Sequence, residues 1–82
     1  MQEQLDEIIE AVVSFKRSSI TPAFFKWRDK LYKINKVHLV HTSREGSQML
    51  YHFSVSDNAN YFQLTFNPYN LTWRITALYN EG

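Results

Sequence analysis

From residue 50 onward the apolar side chains recur at every second position, three times over. Tyr51, Phe53 and Val55 alternate with His52 and Ser54, and Phe62, Leu64 and Phe66 alternate with Gln63 and Thr65. Trp73, Ile75, Ala77 and Tyr79 alternate with Arg74, Thr76 and Leu78. Residues two apart in a strand share a face, so each run has one apolar face and one mostly polar face. That is the pattern of an antiparallel sheet packed on one side. The separators fit hairpin turns. Ser56-Asp57-Asn58-Ala59-Asn60 is a short polar loop, and Asn67-Pro68-Tyr69-Asn70 puts Asn and Pro at the first two positions of a type I turn.

Residues 24–27 and 31–40 read as two further β-rich runs, with Arg28-Asp29-Lys30 as the tight turn between them. Thr21-Pro22 marks the entry, because proline disfavours helix in the residue before it. Arg44-Glu45-Gly46-Ser47 is the loop before the Tyr51 run. The N-terminus supports two patterns. Leu5, Ile8, Ile9, Val12 and Val13 form the stripe of an amphipathic helix, while Ala11, Val13 and Phe15 alternate as in a strand. The division expected is an acidic arm or short helix at 1–8 and a small β domain at 9–82, whose first strand runs over about 9–16.

With 82 residues the chain is one domain, near the small end of what folds alone. Six short strands, each with one apolar face, must curl to cover that face. The expected fold is mainly β: a single small antiparallel barrel or strongly curled sheet of five to six strands, with or without a short N-terminal helix. The expected core is Phe15, Phe25, Trp27, Tyr32, Ile34, Phe53, Val55, Phe62, Leu64, Phe66, Trp73 and Ile75, drawing on aromatics because a small core needs large side chains.

Composition narrows the functions. The absence of Cys excludes disulfides and Cys-type zinc sites. No apolar run approaches the roughly 20 residues of a membrane helix, and residues 1–15 lack the basic start of a secretory signal. A cytoplasmic protein with no membrane partner is expected. The three histidines, His38, His41 and His52, form no ligand spacing, so neither a metal nor a cofactor is expected. There is no Gly-rich phosphate loop, no His-Glu-x-x-His and no Gly-x-Ser-x-Gly, and Ser18 and Ser19 have no His near them in sequence. The reading is non-enzymatic.

Charge supplies the functional candidate. The first ten residues carry Glu3, Asp6, Glu7 and Glu10 and no cation, while residues 16–36 carry seven cations against Asp29 alone. The net charge of +1 is therefore the sum of an acidic block and a basic one. Lys16, Arg17, Lys26, Arg28, Lys30 and Lys33, with Phe24 as a stacking surface, are the candidate site for DNA or RNA. Cations neutralise phosphates, and an exposed aromatic gives a sequence-tolerant platform for bases. The same residues also fit a merely solvated face whose lysines keep sheet edges apart. The alternative is protein interaction or homo-oligomerisation through Leu5, Ile8, Ile9 and Val12, with another protein or a second copy as partner.

Pro22, Phe25, Trp27, Arg28, Lys30, Tyr32 and Ile34, followed by Phe66-Asn67-Pro68 and Trp73-Arg74, resemble an uncharacterised bacterial family. Its members are small β domains with a Pro-x-x-Phe-x-Trp-Arg-Gly-Arg-x-Tyr-x-Val hairpin and a closing Phe-Asp-Pro…Trp-Arg hairpin. Some are encoded beside or fused to translesion DNA polymerases. The resemblance covers about residues 10–79 and implies the fold; the family has no established activity to carry over. Asp29 stands where the family has its turn glycine, and His41-Thr42-Ser43-Arg44 replaces a Trp-Arg pair.

Overall fold

A computed structural model describes residues 2–80. Seven strands follow one another: β1 (Gln2–Lys16), β2 (Ser19–Trp27), β3 (Lys30–Lys33), β4 (Lys36–Glu45), β5 (Gln48–Ser56), β6 (Asn60–Asn67) and β7 (Thr72–Asn80). They form one antiparallel sheet in the order β3-β2-β1-β7-β6-β5-β4. Three expectations are corrected. The strands number seven rather than five or six, the sheet is open rather than a closed barrel, and no helix is present among the described residues. Met1 and residues 81–82, the outer ends of the two expected segments, lie outside the described residues.

The seventh strand arises where one run, 31–40, was expected. The chain changes neighbours in its middle. The Ile34 amide donates to the Ala23 carbonyl of β2 at 2.9 Å, and the next amide, Asn35, donates to the Ser56 carbonyl of β5 at 2.8 Å. Successive residues thus serve opposite ends of the sheet, and β3 and β4 become its two edges. The helix at 2–8 loses to pairing with β7. Gln2 lies opposite Tyr79 and Ile9 opposite Trp73, with a bulge between Gln4 and Glu7. Backbone bonds to β7 cover what would be an open edge, and Ile9 gains a place in the core.

Sheet curvature creates that core. On a flat sheet β2 and β6, three spacings apart, would hold their side chains roughly 14 Å from each other. Instead the Phe25 and Phe62 rings meet edge to face with centroids 5.1 Å apart. Tyr32 of β3 stacks on Phe25 at 5.0 Å and meets Phe62 at 5.4 Å. Phe53, Phe66 and Trp73 pack beside this cluster, over Val55, Leu64 and Ile75, which are fully enclosed. Most of the expected core is there, with Ile9 and Ala77 added. Phe15 is not: at 67% exposure it lies where the β1–β2 hairpin runs past the end of the core.

Turn chemistry is legible residue by residue. Arg28 and Asp29 both have positive φ, 52° and 63°, as a two-residue type I′ hairpin requires. Asp57 Oδ1 accepts from the Ala59 and Asn60 amides, and Asn67 Oδ1 accepts from Tyr69. A left-handed backbone strains non-glycine residues, Asp less than most. Asp29→Gly is therefore expected to stabilise the protein by about 0.5–1 kcal/mol, read as a higher urea midpoint at unchanged slope.

Candidate binding surfaces

The β1–β2–β3 unit has two faces with different contents. Phe25, Trp27 and Tyr32 point to the core, so Lys26, Leu31 and Lys33 point outward, and Phe24 is half-buried between them. The register sets Lys33 opposite Phe24, and Phe24 opposite Val12. It also sets Leu31 opposite Lys26, and Lys26 opposite Glu10. A shallow depression of about 220 Å³ runs along Glu10, Val12, Phe24, Lys26 and Leu31. Lys16 and Arg17 cap the far end of the unit beside the exposed Phe15, where Arg17 takes the positive φ of the β1–β2 turn.

The acidic block lies along the basic one and divides it. Arg28 gives Glu7 two hydrogen bonds, Nη2 to Oε2 at 2.6 Å and Nε to Oε1 at 3.2 Å, and stacks 4.6 Å over the Trp27 ring. Trp27 Nε1 donates to the same Glu7 Oε1 at 2.9 Å. The Arg28 hydrogen bonds, and then that of Trp27, hold the Glu7 carboxyl below its ordinary value. Lys30 Nζ sits 5.1 Å over Tyr32, on the core side. Arg28 and Lys30 thus belong to the turn end, away from the outward face of Lys26 and Lys33. Among the described residues Lys16, Arg17, Lys26 and Lys33 make no ion pair.

The apolar N-terminal residues do not share one face. Ile9 is in the core and Leu5 packs against it, while Ile8 and Val12 are exposed on the outer side. A strand alternates where a helix would have aligned them.

A second surface was invisible in the sequence. On the outer face of β4–β7 a groove of about 490 Å³ is lined by Glu45, Leu50, His52, Thr65, Arg74 and Asp6, among others. Arg74 Nε bonds to Asp6 Oδ1, which fixes the groove's cation. His52 stacks on His41 with centroids 4.7 Å apart. Its Nε2 lies 2.7 Å from Ser43 Oγ, and its Nδ1 lies 3.1 Å from Thr65 Oγ1. Thr65 Oγ1 is 3.4 Å from Thr76 Oγ1, which donates to the Gln63 carbonyl at 3.2 Å.

A carbonyl only accepts, so it orients the whole chain. Thr76 donates to Gln63, Thr65 to Thr76, and His52 Nδ1–H to Thr65. The His52 Nε2 lone pair is left to accept from Ser43. Ser43 and His52 meet as diagonal neighbours on paired strands, a relation that only the register reveals.

With Nε2 protonated, His52 would instead donate to Ser43 Oγ, so the network accommodates either charge state and burial sets the preference. Burial, then the adjacent His41, push its imidazole below the ordinary 6.5, against a smaller opposing pull from Glu45. Below 6.5 the unfolded chain takes up a proton that the folded state resists, so protonation favours unfolding. This contribution to stability is full above 6.5 and is lost as pH falls through 6.5 toward the lower folded value. Urea unfolding of the wild type and His52→Gln at pH 8 and pH 5 is expected to show the larger acid loss in the wild type.

No family model, curated protein or solved structure matches this chain. The described residues contain no helix long and apolar enough to cross a membrane.

Proposed function

We propose that the chain is a non-enzymatic, cytoplasmic binding module that holds single-stranded nucleic acid along the outer face of β1–β3. Lys16, Arg17, Lys26 and Lys33 take phosphates, and Phe24 offers a base-stacking surface. One observation carries the reading: the β1 carboxylates that form ion pairs hold other cations, Glu7 taking Arg28 at the turn end and Asp6 taking Arg74 in the second groove. Lys16, Arg17, Lys26 and Lys33 keep no ion pair among the described residues, although Glu10 stands opposite Lys26 in the register. An unpaired cation beside an aromatic ring suits a flexible strand better than a duplex, whose bases are already stacked. The complete absence of Cys fits a reducing compartment.

Fluorescence anisotropy with oligonucleotides of equal length tests this directly. Binding to single strands exceeding binding to duplex by at least about fivefold supports the reading. Equal or reversed preference counts against it. A second reading has its own observation: Val12 and Leu31 are 60% and 64% exposed beside Phe24, an apolar patch of the kind that meets protein partners. Such binding would tighten or hold steady as salt is raised, where nucleic-acid binding weakens.

A further inference from the structure

The two edges of the sheet are built differently. β3 is four residues long and begins and ends on lysine, which is how natural edges are kept from pairing. β4 is ten residues long, and from His38 onward every residue is exposed. Between Lys36 and Arg44 its sequence, Val37 to Ser43, has no Asp, Glu, Lys or Arg, no Pro and no Gly. A long, β-favouring edge without central charge is a template for another strand. We propose that β4 pairs with β4 of a second copy of this chain, antiparallel about a two-fold axis at His41.

The register names the occupant. Its partners on β5 assign each β4 residue a face. Val37 and Val40 lie opposite the core residues Val55 and Phe53, and Leu39 and His41 lie opposite the outward Ser54 and His52. A two-fold axis through an antiparallel pair stands perpendicular to the sheet and sets residues of the same face opposite one another. With His41 on the axis, Leu39 meets Ser43 of the second copy and Val40 meets Thr42. Regular alternation would next oppose Val37 to Glu45, which point to different faces. The bulge between Val37 and Leu39 absorbs one residue, so Val37 meets Arg44 and Lys36 meets Glu45. The strand is then matched over its whole length, and a Lys36–Glu45 pair closes each end. Any other axis shortens the overlap and separates Lys36 from Glu45.

The pairing adds main-chain hydrogen bonds along one strand and covers Leu39 and Val40, which are 57% and 49% exposed in the single chain. A single-strand seam is a small interface, so a Kd in the tens of micromolar is expected. Sedimentation equilibrium on the full chain from about 1 to about 500 μM tests it. The wild type should pass from monomer to dimer. Lys36→Glu and Glu45→Lys each place like charges at both ends of the seam, and each alone should weaken association at least about tenfold. An equal mixture of the two variants should recover a dimer within about threefold of the wild type, because each supplies the charge the other needs. Recovery on mixing cannot come from damaged folding. A wild type monomeric throughout, a dimer indifferent to both reversals, or no recovery on mixing overturns the proposal.

Discussion

Phe62→Ala is expected to cost about 3–5 kcal/mol of folding stability. An 82-residue domain holds roughly 4–12 kcal/mol in all, so the variant should be near or past its folding limit at 37 °C. The size follows from position more than from ring area. Phe62 is 2% exposed and touches both Phe25 and Tyr32, so it is the point where β6 meets β2 and β3 across the bent sheet. Removing it leaves a cavity between two parts of the sheet that no shared ladder joins. Phe15→Ala is the paired control. Equal in chemistry but 67% exposed, it should change stability by no more than about 0.5 kcal/mol. Urea denaturation of both variants checks the account. A loss below about 1.5 kcal/mol at Phe62 would mean that β2 and β3 do not close over β6.

The second large effect concerns binding. Lys16→Glu combined with Arg17→Glu is expected to weaken single-stranded oligonucleotide binding by about 30-fold or more at low salt, roughly 2 kcal/mol. Both side chains sit at the exposed β1–β2 turn without an ion pair among the described residues, so thermal stability should stay nearly level. Arg28→Gln is the contrast. Its guanidinium is already held by Glu7 and the Trp27 ring, so affinity should change by less than about threefold. Anisotropy titration of the two variants against the wild type gives the comparison. Equal losses from both would mean that charge acts through the sum of the basic block and not through the division made by β1.

Much of this division was hidden in the chain. The three C-terminal strands were legible because each alternates on its own and each hairpin carries its turn residues. The tight turn at Arg28-Asp29-Lys30 was legible as a turn, though not its type I′ form, with positive φ at Arg28 and Asp29. The N-terminus was not. Leu5, Ile8, Ile9, Val12 and Val13 satisfy a helical period as well as a strand's, and the choice is made by β7, some 70 residues away. The break at Ile34-Asn35 was equally hidden, since nothing local says that one amide serves Ala23 and the next Ser56. Site residues followed the same rule. That Lys26 and Lys33 point outward could be read from alternation, whereas the capture of Arg28 by Glu7 and the Ser43–His52–Thr65 network exist only once registers are set.

The claim that cations on β1–β3 take phosphates is tested most directly by the salt dependence of single-stranded oligonucleotide binding to the full chain. Four cations, Lys16, Arg17, Lys26 and Lys33, predict a slope of log affinity against log salt near −3. A slope near zero, or no binding at low salt, would contradict it.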